Sequence, residues 1–148
     1  MGMAEQPTVA DSTTLMLVTV GRLLSRRVDE ELATQGLTLR HLGALGHLSH
    51  RPDLSYSDLA RRAGVTTQSM HTTVRALEEQ GAVVRVLAGH GHAARLEITE
   101  HGRGMLARMA EAAVRLDEEL LGELSAEQVA GLRAGLAALA TVPRRLGL

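Results

Sequence analysis

Residues 65–85 read VTTQSMHTTVRALEEQGAVVR. The second half patterns as an amphipathic helix that stops at a glycine; the first half is a run of Thr, Gln, Ser and His with little to bury. On a helical wheel, Met70, Val74 and Leu77 recur at i, i+4 and i+7 and form one apolar face. Thr67, His71 and Arg75 fall opposite, with Gln68 and Thr72 beside them. Thr66 is the expected N-cap, its hydroxyl satisfying a free N–H of the first turn. Such a helix buries one face and presents hydrogen-bonding groups near its N-terminus on the other, which a helix lying in a DNA major groove requires. Gln can bond two atoms of an adenine edge, and Thr can offer a hydroxyl or pack its methyl on thymine. His71 can donate or accept, and Arg75 can reach guanine or a phosphate. The helix N-terminus itself attracts a phosphate oxygen. Taken alone, the same short polar residues are equally caps and solvated positions, so the neighbouring segments decide.

Upstream lies SYSDLARRAG, residues 55–64. Ser55 and Asp58 suggest a capping box, Leu59 and Ala60 point inward, and Gly64 stops the short helix. A short helix, a glycine turn and a second helix make the helix-turn-helix signal. Downstream of Gly81, AVVRVL and ARLEIT are β-rich runs joined by AGHGHA, a hairpin by its turn residues. A hairpin directly after a helix-turn-helix is a wing.

Working outward, Leu17, Val20, Leu24, Val28 and Leu32 sit at helical spacing before Gly36. Apolar residues at 15, 16, 18 and 23 widen that face beyond what one small body needs, which points to a partner. Leu17, Leu24 and Val28, with Leu106, Met109, Val114, Leu116, Leu120, Leu121, Leu132, Leu136 and Leu139 toward the C-terminus, likewise exceed what a small head can cover and are expected on a dimer surface. Thr38 caps a second helix carrying Leu39, Leu42, Leu45 and Leu48, which ends ahead of Pro52. Thr99 opens a long helix from about Glu100 to Gly122, and a box of Ser125 and Gln128 opens a last helix to about Ala140. The expected class is mainly α with a small β-hairpin: a winged helix-turn-helix head plus helical segments for dimerisation.

Composition narrows the function. The chain has 148 residues, 45% of them hydrophobic, a net charge of −1, and Tyr56 as its one aromatic. Without Phe or Trp the core must be aliphatic, which suits helices. Without Cys there are no disulfides or thiolate metal sites. All basic residues are Arg, and the middle third, 51–103, is the least acidic, with seven Arg against six acids and four of the seven His. That is a weak footprint for a polyanion. The opening residues lack the cationic start and apolar run of a signal peptide, and the longest apolar run is far too short to span a bilayer. A cytoplasmic protein without membrane contact is expected. No phosphate loop, Ser-His-acid spacing or paired carboxylates point to an enzyme, and no cofactor is expected.

The stretches LTLRHLGALGHL (37–48), YSDLARRAGVTTQSMHTTVRALEEQGAVVR (56–85), LEITEHGRGML (96–106) and LSAEQVAGLRAGLAAL (124–139) resemble the MarR family of bacterial transcription regulators. The resemblance covers the chain from about residue 13. It implies a homodimer whose two recognition helices enter major grooves of a pseudo-palindromic operator on double-stranded DNA, with each wing at a minor groove. It further implies release by a small aromatic or acidic effector, a repressor being the commonest case. The organisation expected on this basis is a disordered 1–10, a helical dimerisation region of 11–36 and 104–148, and a DNA-binding region of 37–103. DNA contact is expected from Thr66, Thr67, Gln68, Ser69, His71, Thr72 and Arg75, and from Arg85, His90, His92 and Arg95 of the wing. Arg22 and His41 are the expected anion partners in an aliphatic effector pocket.

One departure stands out. Where the family's wing carries Asp-Arg-Arg, this chain has His90, Gly91 and His92. A protonated His can stand in for Arg in the negative potential of a minor groove, so DNA affinity is expected to rise as pH falls from about 7.5 toward 6. His90-x-His92 with His101 also has the look of a metal site, but without Cys or a placed carboxylate no metal is expected. The altered wing and near-neutral head keep a second reading open, a winged-helix interaction protein that has lost DNA binding.

Overall fold

The computed structural model describes residues 8–52, 54–86 and 95–142. Within them the order is α1 Thr13–Ala33, α2 Leu39–His50, α3 Tyr56–Ala63, α4 Thr67–Glu79, β1 Val83–Val86, β2 Arg95–Ile98, α5 Glu100–Leu121 and α6 Ala126–Leu139. This is the expected class, mainly helical with one antiparallel hairpin. A single 3-10 turn, Val9–Asp11, precedes α1, so regular structure starts inside the stretch expected to be disordered.

Hydroxyl caps set most helix starts. Ser12, Thr38, Ser55, Thr66 and Ser125 each accept a hydrogen bond from the backbone N–H three residues on. Thr99 does the same for Gly102 at 3.0 Å. The box expected at Ser55 takes another form: the Ser55 hydroxyl donates to the Asp58 carboxylate at 2.7 Å. A box the sequence reading missed stands at α2, where the Thr38 N–H donates to His41 Nδ1 at 3.2 Å. Gly64 adopts φ 66° and closes α3 in the left-handed conformation, which makes the tight turn into α4.

The chain divides into two compact units, residues 1–112 and 113–148. In the first, α2, α3, α4 and the hairpin pack around Leu45, Leu48, Leu59, Met70, Val74, Leu77 and Leu96, all fully buried. Each such side chain contributes about 1.5–3 kcal/mol by leaving water. Leu32 and Val28 of α1 and Met105 and Met109 of α5 join this cluster. Along β2, Leu96 and Ile98 are buried and Arg95 and Glu97 exposed, the period-two alternation of a half-covered strand. Val83 pairs with Ile98 and Val86 with Arg95. Where α5 begins, the Thr99 hydroxyl donates to Gly81 O at 2.7 Å. At Gly102 a β-carbon would strike the Ala82 carbonyl oxygen and lie 2.8 Å from Ile98 Cγ1. Only glycine lets the first turn of α5 sit this close to the strand.

The burial of α1 is confined to its C-terminal part, which leaves the surplus apolar residues bare as its wide face suggested. Leu32 is buried and Val28 and Leu24 partly so, but Leu17 and Val20 are exposed, as are Leu15, Met16, Val18 and Leu23. Leu39 of α2 is half exposed as well. In the second unit α6 buries no residue at all. An Arg133–Asp117 ion pair of 3.0 Å links α6 to the end of α5 there.

Candidate nucleic-acid interface

The two faces of α4 separate as the wheel predicts. Met70, Thr73, Val74 and Leu77 are buried, while Thr66, Thr67, Gln68, His71, Thr72 and Arg75 are exposed. The exposed set is not uniformly free. The Thr66 hydroxyl accepts from Ser69 N at 3.1 Å, so its lone pairs serve the cap. Ser69 is half-buried, and its hydroxyl accepts from Arg40 Nη1 at 2.8 Å. The Thr72 hydroxyl leans back to Gln68 O at 3.4 Å. The side chains of Thr67, Gln68 and Arg75 make no hydrogen bond or ion pair with a described residue. They are the groups with unspent donors and acceptors on this face.

His71 is held by an aromatic neighbour. Its ring stacks on Tyr56 with centroids 4.0 Å apart and planes 19° apart. Tyr56 in turn accepts a hydrogen bond from Arg85 Nη2 at 2.6 Å, and the guanidinium carbon lies 5.3 Å from the ring centroid. Arg85 Nε also faces Glu78 at 3.6 Å. The first residue of α3, the exposed face of α4 and the base of the hairpin are thereby tied through one tyrosine. Arg85, expected as a wing contact, is the middle of this network. Arg95 is exposed at the start of β2, across from Val86. His90 and His92 lie outside the described residues.

The expected effector partners do not come together. His41 lines a hollow of about 540 Å³ with Asp29, Arg40, Thr72 and Thr73, whereas Arg22 is exposed on α1 and has no place in that lining. The cation at the hollow is Arg40. Burial holds the His41 pKa below its ordinary 6.5, and the adjacent Arg40 charge adds to this. A neutral ring fits its position, since Nδ1 must accept from Thr38 N. Sequence reasoning missed roles for Tyr56 and Arg40, although both lie within stretches it quoted, 55–64 and 37–48. An aromatic at the first position of a short helix, with an exposed His and Arg within reach, was the available signal for Tyr56.

Comparison with known proteins agrees with this geometry. A family model described as MarR family matches residues 35–94. The HTH-type transcriptional repressor Rv2887 of Mycobacterium tuberculosis is 42% identical over 115 residues, spanning 76% of this chain and 82% of that protein. The chain belongs to the MarR family. A solved structure of the MarR family protein Rv2887 in complex with DNA superposes with a TM-score of 0.74 at 38% identity, over 86% of this chain and 97% of that one. The same relative has structures with salicylic acid and with p-aminosalicylic acid, at TM-scores of 0.64 and 0.69. A MarR family protein from Bacillus stearothermophilus gives 0.76 at 23% identity, covering 94% and 97%, a likeness of fold. Within a MarR winged helix, α3 and α4 are the helix-turn-helix and β1–β2 the base of the wing. Among the described residues no helix is long and apolar enough to cross a membrane, and no cluster of three or more His, Asp or Glu is placed to hold a metal.

Proposed function

We propose that this MarR protein is a homodimeric, sequence-specific repressor of transcription that releases double-stranded DNA when a small acid binds. The observation that carries the reading is the division of α4: one face sunk in the aliphatic core, the other lined by Thr67, Gln68, His71, Thr72 and Arg75 with donors and acceptors to spare. Gln68 and Thr67 near the N-terminus read base edges, Arg75 two turns on reaches guanine or a phosphate, and Arg95 meets the backbone beside the wing. Thr66 and Ser69 act behind them by fixing the first turn, and Arg85 acts through Tyr56. The region 37–103 carries DNA, and 11–36 with 104–148 pairs two protomers. The protein acts by binding, not by catalysis, beside the chromosome in the cytoplasm.

Dimerisation rests on apolar surface that the protomer leaves bare. Leu15, Met16, Leu17, Val18, Val20 and Leu23 of α1 are 42–63% exposed, and Val114, Leu132, Leu136 and Leu139 of the C-terminal unit 39–59%. Met109 and Leu116, which the sequence pattern also assigned to this surface, are buried within the protomer and drop out of it. Two-fold pairing covers such patches and doubles the contacts to DNA, which lets a chain of net charge −1 bind a polyanion. The effector reading is supported by the salicylate complexes of the mycobacterial relative.

Selection of bound sites from random duplexes, followed by titration against salt, tests the reading. A two-fold symmetric consensus whose affinity falls steeply with salt is the expected result. No binding at low salt would instead favour an interaction protein on the same scaffold.

A further inference from the structure

Tyr56 is the only Phe, Tyr or Trp in the chain, and the fold places it beside the exposed face of α4 rather than in the centre of the core. It is partly buried and packs against the aliphatic cluster of the head, which anchors the body of the ring. Its tip is held as well. The hydroxyl accepts from Arg85 Nη2 at 2.6 Å, and Arg85 Nε faces Glu78 at 3.6 Å, two turns beyond His71 on α4. On this fastened ring the His71 imidazole lies nearly flat, with centroids 4.0 Å and planes 19° apart.

His71 has no other ties. It is exposed, and its ring nitrogens make no hydrogen bond or ion pair with a described residue. An exposed imidazole without a neighbour turns among several rotamers, each aiming the N–H in a different direction. Stacking removes that freedom. It covers a face of the ring and leaves the edge, which carries both nitrogens, open. The donors and acceptors of a base pair lie in one plane at the groove, so an edge held in one plane is the matching partner.

We propose that Tyr56 is a positioning residue for sequence recognition: by holding the His71 ring flat, it sets the base preference at one base pair of each operator half-site. The inference deepens the proposed function and rests on it. Chemistry names the base. In the major groove an imidazole N–H meets two adjacent acceptors, N7 and O6, on guanine, whereas adenine sets a donor beside its N7. Guanine is therefore expected at that pair. The gain comes from pre-organisation. A loose His71 has to be immobilised as it binds and can tilt toward other bases. Held on Tyr56, the ring is ordered at folding, and a wrong base leaves its N–H unmatched.

Selection of bound sites from random duplexes, carried out with the full-length protein and its variants, tests the inference. His71→Ala identifies the pair, because preference there alone should flatten. At that pair the wild type is expected to favour guanine by about tenfold. Tyr56→Leu keeps apolar bulk against the core but offers no flat face. It should reduce the preference to about twofold while the other positions of the consensus hold. Tyr56→Phe keeps the stack and should stay within about twofold of the wild type. In the His71→Ala background, Tyr56→Leu should change nothing further at this pair, since the ring it acts through is gone. Should either Tyr56→Leu or Tyr56→Ala fail to melt cooperatively, the other decides. A second readout needs no DNA: the His71 ring protons should lie upfield, in the tyrosine ring current, in the wild type and Tyr56→Phe, and move back in Tyr56→Leu. A loss spread evenly over all positions, an unchanged preference at the His71 pair, an equal loss in Tyr56→Phe, no pair flattened by His71→Ala, or wild-type ring protons without the upfield shift overturns the inference and leaves the repressor reading standing. A wild type that selects no sequence sinks that reading, and the inference with it.

Discussion

Helices α4 and α6 are nearly equal in length, 13 and 14 residues, and both start on a hydroxyl cap. They differ in where their partners come from. Helix α4 buries four residues against its own chain and turns polar groups outward. Helix α6 is rich in Leu, Ala and Val and buries none. The first is finished by the fold and needs only a surface that accepts and donates hydrogen bonds. The second is unfinished, and a protein does not leave such a helix in water without a partner. On the proposed function, specificity thus falls to a helix completed locally, and assembly to helices that a second copy would complete.

The largest effect should come from the unfinished side. Leu132→Glu with Leu136→Glu places charges on the bare face of α6 without touching the core of the head. The pair should turn the dimer into monomers in sedimentation equilibrium and lower operator affinity by about a hundredfold or more. A dimer that survives both changes with full DNA affinity would break the contrast between the two helices.

On the finished side the effects are graded by what each side chain is already doing. Arg75 and Gln68 spend no bonds within the described fold, so their loss is felt only on DNA. Gln68→Ala and Arg75→Ala should each cost about 1–3 kcal/mol in operator binding, with unchanged melting temperature. If Arg75 meets a phosphate, its removal should also lower the slope of log affinity against log salt by about one. A variant that loses stability instead would show that the outward face is spent inside the protein.

Tyr56 lies between the two cases, since it touches His71 and Arg85 and reads no base itself. Tyr56→Ala should reduce operator affinity by about 1 kcal/mol, as the stack on His71 and the hold on Arg85 go together. Tyr56→Phe keeps the stack and loses only the 2.6 Å hydrogen bond, and should recover most of the loss. Equal losses in both variants would assign the effect to the hydroxyl and Arg85 alone.

How much of this was legible in the sequence follows from the range of each interaction. Element order, caps and the buried face of α4 came through, because periodicity and capping act over a few neighbouring residues. The helix at Thr66 and the stop at Gly64 needed nothing from elsewhere in the chain. Burial along α1 came through only in part: Leu17, expected beyond the reach of the head, is exposed, but Val28, expected there too, packs against the core of the head. Met109 failed the same way, filling the protomer core although its spacing matched the exposed leucines. Side-chain networks were the least visible. Arg40 meets Ser69 across 29 positions and Arg85 meets Tyr56 across 29, contacts that no local pattern encodes.

The smallest predicted effect concerns His41, and it separates folding from DNA binding. His41 fills the third helical position of α2, where Nδ1 accepts from Thr38 N at 3.2 Å. Only the neutral ring can do so. Its folded pKa lies below 6.5 because burial penalises the imidazolium and Arg40 repels it. Asp29 lines the same hollow, but the shift runs downward, so burial and Arg40 prevail over it. In the window below 6.5 the unfolded chain binds more protons at this residue than the folded one. Its contribution is therefore complete above the unfolded pKa and is lost as pH falls through the folded value. Glutamine can make the same reciprocal cap without titrating. The melting temperature of the wild type should fall more between pH 7.5 and pH 5.5 than that of His41→Gln, by about a few degrees at most. The two proteins differ only at position 41, so the difference belongs to His41. Over the same range, the histidines at 90 and 92 are expected to raise DNA affinity, so stability and binding should move in opposite directions as the solution is acidified. Parallel pH profiles for the two proteins would remove His41 from the account of stability and leave the wing's effect on DNA affinity to be judged separately.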